Sequence, residues 1–450
     1  MNKKEKALYI FLLIVAPICL GILSFLFQFT IPYCLQFTNW LWENVPHYAY
    51  FLILLFLSLV EIFVIWLDNL HGDINDIEDY LRHNLPYSPL LDIVSVFICA
   101  CITFMIGLPL DGDLPTIFMV GTLFVVMLHR FFKRYQRHTM IHMGASIGFA
   151  LAFHNPIAGI VHYFEEYRHR FKWKPFFLLL LEIVIAYSTL TGLCFLKEYL
   201  LEGKVNPFAF FYELFDVELS FGNNVSIFFI SFGIILIICC LLSFVLNKAV
   251  IFFRDYFDPK TWLSVILCVV LASAFAYSLR RFDFELAIGM GEELFEARDL
   301  LSSELIILFA LRIVFIIFAF NFFHIGGRTV PSLMLGALIG QIFVAICNEY
   351  FTPLDHSFAN LVIICSALIY LGVSMKVYLI AVSLSFSFGN PLFILPIVVI
   401  ALLIAFFPMK YILPLGLNEE IEEHDEHYHF ILYALNFRRH PKKYLSIHII

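Results

Sequence analysis

The sequence predicts an all-α polytopic membrane protein, and three observations carry that prediction. Of 450 residues, 61% are hydrophobic and only 14% are charged, against about 25% charged in a soluble domain. Mean hydropathy is +0.88, so there is too little charge to cover the surface of soluble globules. Apolar runs also recur almost to the end of the chain. Several fall short of the roughly 20 residues that a perpendicular span takes. Broken or re-entrant helices are therefore expected, and lipid tolerates them only where they are buried in protein or line a cavity. That uneven pattern suits a transporter or channel better than a simple receptor bundle.

The runs are Ala7–Phe29, Tyr50–Trp66, Leu90–Leu110, Leu114–Leu128, Phe176–Leu196 and Val225–Leu246, then Trp262–Tyr277, Leu305–Phe323, Val330–Ile346, Leu361–Leu371 and Val377–Ile412. The first follows Lys3–Lys6 and is longer than the apolar region of a signal peptide, so it reads as an uncleaved helix. Basic residues cluster at Lys3–Lys6, Arg130–Arg137, Arg168–Lys174, Lys248–Arg254 and Arg438–Lys443. The positive-inside rule sets these on the cytoplasmic face, and the acidic segment Glu292–Asp299 is expected outside. No soluble regulatory domain is expected after the last run. A multi-pass protein of a bacterial inner membrane, with both termini cytoplasmic, is the expected location.

The net charge of -8 argues against a nucleic-acid partner, which needs a clustered basic face. The 10 cysteines sit almost wholly in apolar runs, with no paired CxxC spacing, and read as buried thiols. His138 and His142 lie one helical turn apart, and His424–His429 is a His-rich tract, but neither has a fixed metal-ligand spacing. Glu61 and Glu182 interrupt apolar helices. Membrane acids are functional candidates by default, although either can instead hydrogen-bond a neighbouring helix.

The most informative stretch is Arg137–Arg168, RHTMIHMGASIGFALAFHNPIAGIVHYFEEYR. Its small residues, among them Gly144, Ala145, Ser146 and Gly148, let helices approach closely. Asn155-Pro156 breaks the run, and Glu165-Glu166 end it beside a basic loop. Far away lies Gly326-Gly-Arg-Thr-Val-Pro-Ser332, followed by Gly336 and Gly340. A Gly-rich turn that opens a helix aims unpaired backbone N–H groups and the positive dipole end at one spot. Within a membrane such a spot can replace an anion's water without a formal positive charge.

The first of these segments resembles the CLC chloride channels and chloride/proton antiporters, whose stretch reads close to RHT…GAAAG…AFNAPLAGI…EE. The second resembles that family's GGxFxPSL…G…G. The resemblance implies a CLC-like fold of two inverted-topology repeats, roughly 48–200 and 225–439, with helix starts meeting at the midplane. It also implies a homodimer with one anion path per subunit, carrying chloride or another small anion with protons and needing no cofactor. Asp111-Gly-Asp-Leu-Pro-Thr116 is similar to the family's G-[RK]-E-G-P, in the register set by Pro115. That register makes Asp113 the outer gating acid, one methylene shorter than the family's glutamate. Gly112 stands in place of the basic residue.

His71–Glu78 aligns with GSGIPEIE, so the anion-binding serine falls at Gly72, where only backbone can contribute. Asp73 beside it would repel an anion, and Asp73 and Asp76 also suit an ordinary helix start. Tyr428 matches the tyrosine that offers a hydroxyl to the anion. By resemblance, then, the anion site gathers Gly72, Arg328, Thr329 and Tyr428, with Gly326, Gly327 and Pro331 shaping one helix start and Pro115 the other. Glu166 is the inner proton relay, with Glu165 as its substitute. A passive channel and a fluoride-preferring exchanger of the same fold stay open. So do a membrane-embedded metal enzyme built on His138, His142, Glu165 and Glu166, and a member of the family kept for assembly or signalling.

Overall fold

The computed structural model describes residues 3–68, 89–128, 131, 137–167, 173–202, 219–220, 225–256, 262–282, 284–289, 292–298, 300–322, 326–351, 353–388, 391–413 and 415–417. Among them the chain is helical throughout. The helices are α1 (Lys3–Asn44), α2 (His47–Asp68), α3 (Pro89–Ile106), α4 (Asp113–Leu128), α5 (Arg137–Ala152), α6 (Pro156–Tyr167) and α7 (Trp173–Glu202). They continue with α8 (Val225–Tyr256), α9 (Trp262–Arg281), α10 (Ser302–Phe322), α11 (Thr329–Tyr350), α12 (His356–Met375), α13 (Tyr378–Leu384) and α14 (Pro391–Ile412). Eight are long and apolar enough to cross a bilayer, and the protein is an integral multi-pass membrane protein. The expected short helices are present as α4, α5, α6 and α13, of 16, 16, 12 and 7 residues.

The apolar run beginning at Ala7 is part of a 42-residue helix that contains Pro17 and Pro32. Such prolines persist in membrane helices because neighbours satisfy the freed carbonyls. Leu8, Ile10, Phe11 and Ile14 on α1, and Leu392, Leu403 and Phe407 on α14, face outward as lipid-facing side chains do. The inner face of α1 meets α7 closely at Gly21, where a Cβ would lie 2.6 Å from the Ala186 carbonyl oxygen.

Two apolar cores organise the rest. One joins α1, α3, α4, α5, α6 and α7 through Leu20, Phe27, Phe118, Phe124, Met140, Ile147, Tyr163 and Ile183. The other surrounds α11 and α12, with Leu335, Leu338, Ile363 and Tyr370 at its centre. Each core contains one pair of helices pressed together by two glycines four residues apart. Cβ atoms at Gly144 and Gly148 on α5 would lie 2.9 Å from Gly121 Cα and 2.6 Å from Ile117 Cα of α4. Cβ atoms at Gly336 and Gly340 on α11 would lie 2.6 Å from Ala367 Cα and Ile363 Cα of α12. Lipid supplies no hydrophobic force between helices, so packing this close is what holds them.

These contacts predict a contrast. Gly148→Val and Gly336→Val force the paired backbones apart and should each destabilise the detergent-solubilised protein by roughly 1–3 kcal/mol. Gly192→Ala and Gly233→Ala meet nothing within 4 Å and should be neutral or stabilising, by up to about 1 kcal/mol. Thermal unfolding of the four variants checks the ranking.

Candidate anion and gate site

The site begins at the turn between α3 and α4. Gly107 adopts φ 81°, the left-handed region that a side chain disfavours. Its carbonyl accepts the Gly289 N–H at 2.9 Å, and Leu108 N–H donates to the Thr103 carbonyl at 3.3 Å. The chain then runs through Leu110 to Asp111, which pairs antiparallel with Gly327. Asp111 N–H donates to the Gly327 carbonyl at 3.1 Å, and Gly327 N–H returns a bond to the Asp111 carbonyl at 2.7 Å. Two residues beyond each partner a helix starts, α4 at Asp113 and α11 at Thr329. Each helix carries proline as its third residue, Pro115 and Pro331, in the first turn where a missing N–H costs nothing. The two starts singled out in the sequence are therefore held side by side.

Side-chain volume at this junction is tightly rationed. A Cβ at Gly326 would lie 2.5 Å from Leu110 Cβ, and one at Gly327 would coincide with Asp113 Oδ1. A Cβ at Gly112 would come within 3.1 Å of both Phe27 and Ile31 of α1, so α1 covers the position where a basic residue was expected. Thr116 closes the first turn of α4 by donating its hydroxyl to the Gly112 carbonyl at 2.7 Å.

Asp113 is 4% exposed. Its Oδ1 accepts the Leu114 N–H at 2.6 Å, and the Thr329 hydroxyl and backbone N–H both reach its carboxyl. The acid of one helix therefore sits at the opening of the other, in the seat that the helix start offers to an anion. The shorter aspartate reaches because Gly327 leaves no side chain in between. Arg328 precedes α11 without capping it by its own side chain, and its guanidinium lies 5.9 Å from the Phe320 ring centre.

Between α5 and α6, Asn155 does more than break the run. Its Oδ1 accepts the Ile157 and Ala158 N–H groups at 3.0 and 3.1 Å, capping α6. Its Nδ2 donates to the Ser383 carbonyl at 2.9 Å and the Ser387 hydroxyl at 3.1 Å, tying α6 to the end of α13 and the turn that follows it. Glu165 accepts the Leu379 and Ile380 N–H groups at 3.3 and 3.0 Å, so it caps α13 from the neighbouring helix. Glu166 falls in the last turn of α6, one residue on. The Glu166 side chain, Gly72, Asp73, Asp76, Tyr428 and the His424–His429 tract lie outside the described residues, as do the side chains of Arg137 and His138.

Reading the sequence passed over Arg312, a lone cation within the run Leu305–Phe323. It is 0% exposed on α10 and donates to the Leu286 carbonyl at 2.8 Å and the Gly289 carbonyl at 3.1 Å. Since Gly289 in turn holds Gly107, Arg312 anchors the start of the turn between α3 and α4. Its signal was present in the sequence, because an arginine inside an apolar helix needs a buried partner. The two membrane acids part company. Glu61 accepts the Thr103 hydroxyl at 2.7 Å, whereas neither Glu182 oxygen has a hydrogen-bond partner among the described residues.

Comparison with known proteins identifies the family and the fold. The sequence profile described as "voltage gated chloride channel" matches residues 66–409. A slow cyanobacterial Cl-/H+ antiporter of known crystal structure superposes with a TM-score of 0.75 at 17% identity, covering 93% of this chain and 98% of that one. A CLC-type fluoride/proton antiporter gives 0.66 at 17% identity, with 91% and 98% covered. A eukaryotic CLC transporter gives 0.65 at 14% identity, with 92% and 74% covered. With the profile spanning well over half of the sequence, on a fold shared with these transporters, the chain belongs to the voltage-gated chloride channel, or CLC, family.

Proposed function

We propose that the protein exchanges a small anion, chloride first, for protons across the membrane, with Asp113 as the outer gate. The observation that carries this reading is the Asp113 carboxyl on the Thr329 N–H and hydroxyl. A charged carboxylate and an anion cannot share one helix start, because like charges repel across a poorly screening interior. Anion entry from outside therefore requires the carboxylate to leave, and a proton lets it leave. On return it displaces the anion inward and can give the proton up. Each cycle links one species to the other.

The remaining parts follow the family pattern. The backbone at Arg328 and Thr329 holds the anion, with the Gly72 backbone and the Tyr428 hydroxyl completing its shell. Glu166 passes the proton to the cytoplasm. Glu165, committed to the start of α13, is the weaker candidate for that role. The halves 48–200 and 225–439 act as inverted repeats around the path, and two subunits assemble as a dimer with a path in each.

The test is flux from chloride-loaded liposomes, recorded with a chloride electrode while external pH is followed. Uphill proton movement driven by chloride efflux is expected. Efflux with no proton movement would leave a passive channel, and fluoride far outpacing chloride would overturn the anion choice. Asp113→Ala empties the seat, so anion efflux should persist while proton movement falls by roughly tenfold or more. Native efflux should rise as external pH falls, and the Asp113→Ala rate should be flat with pH. Gly327→Ala sets a methyl where Asp113 Oδ1 lies and should uncouple the two fluxes in the same direction.

A further inference from the structure

The α5–α6 hairpin carries polar side chains that the gate does not use. His142 and Ser146 lie one turn apart on one face of α5, and His162 and Glu166 lie one turn apart on α6. Ser146 is 0% exposed and His162 is 8% exposed, and Ser146 Oγ stands 3.1 Å from His162 Nδ1. The imidazole also stacks on Phe149, with ring centres 4.8 Å apart and planes at 26°. The hairpin is tight here: a Cβ at Gly159 would lie 2.5 Å from the Ser146 carbonyl oxygen. The ring is therefore fixed by one nitrogen and one face. The residue as a whole keeps only a small exposed fraction.

Its place in the fold matters as much as its contacts. α6 begins at the Asn155 link to the second half of the chain and ends at Glu165-Glu166 beside the basic loop Arg168–Lys174. His162 lies one turn inward from Glu166, between the cytoplasmic end and the interior. Titratable side chains on the packed elements include Arg137, His138 and His142 on α5, Tyr378 on α13, Lys174, Glu182 and Tyr187 on α7, and Tyr163, Glu165 and Tyr167 on α6 itself. Of these, Glu165 is committed to the Leu379 and Ile380 N–H groups.

We propose that His162 is the proton carrier inside the membrane, between the Glu166 carboxyl and the anion path, with Ser146 holding its ring in place. The proposal rests on the exchange reading above. Imidazole suits the task because one nitrogen can keep a hydrogen bond while the other takes up and releases a proton. In the inward step the Glu166 O–H bond breaks and an N–H bond forms on the ring, leaving carboxylate and imidazolium. The N–H bond then breaks as the proton passes to water in the anion path, and the neutral ring is restored. No electrons change hands, and the reverse order returns the proton to Glu166. Ser146 is a positioning residue in this scheme.

The full-length protein in chloride-loaded liposomes tests it, through the number of protons moved per anion. His162→Phe keeps a ring to stack on Phe149 and removes both nitrogens. Its proton flux should fall roughly tenfold or more, with anion efflux close to the native rate. Ser146→Ala should reduce the ratio in the same direction and less steeply, and it reads the same quantity should His162→Phe not fold. A native protein that couples beside variants that couple equally overturns the role of His162 alone. A native protein that moves anion without protons overturns the exchange reading and this proposal with it. A ratio lowered in both variants, with anion efflux intact, supports it, since a packing role would slow both fluxes together.

Discussion

The arrangement depends on a pair of backbone hydrogen bonds between Asp111 and Gly327. They join segments from opposite halves of the chain and fix where two helices begin. Without a defined offset between those starts, the first-turn N–H groups of α11 would not face the acid of α4. Backbone bonds suit the task in lipid, because an unsatisfied N–H or carbonyl there has no water to turn to. Gly107, Gly289 and Arg312 extend the same logic outward. A buried guanidinium holds two carbonyls, and one of those residues holds the turn before α4.

Much of this was legible in the sequence. Gly326-Gly327 and the prolines at Pro115 and Pro331 announce helix starts by local backbone chemistry, which needs no knowledge of neighbours. Gly144 and Gly148, among the small residues of their stretch, announce close packing for the same reason, whereas the matching role of Gly336 and Gly340 shows only in the fold. The pairing of Asp111 with Gly327 was not legible, because sequence patterns report local periodicity and these residues meet only in three dimensions. The same limit hid Asn155 as a tie to Ser383 and Glu165 as the cap of α13. An amide or carboxylate at a helix end looks alike whichever neighbour it serves.

Burial was the other blind spot. α12 and α14 are both strongly apolar, yet the apolar window of α12 is 100% buried and that of α14 only 39%. Lipid and protein interior make nearly the same demand on a side chain, so hydropathy cannot tell an outer helix from a central one. Small residues can: Ser366 and Ala367 on α12 lie against Gly336, whereas α14 turns Leu403, Phe406 and Phe407 outward.

The glycine contacts sit on opposite partners in the two cores, on the second helix of the α4–α5 pair and the first helix of the α11–α12 pair. Both clasps leave no slack for one helix to slide past its mate, since close-packed interiors resist small displacements. Each pair is thus a stiff block, and the Asp111–Gly327 backbone bonds join the stretch before one block to the stretch before the other. At that meeting point the carboxyl of Asp113 is buried and held by hydrogen bonds from Leu114 and Thr329. A change at this junction is therefore a change of partners for one side chain, with the close-packed helices on either side left where they stand.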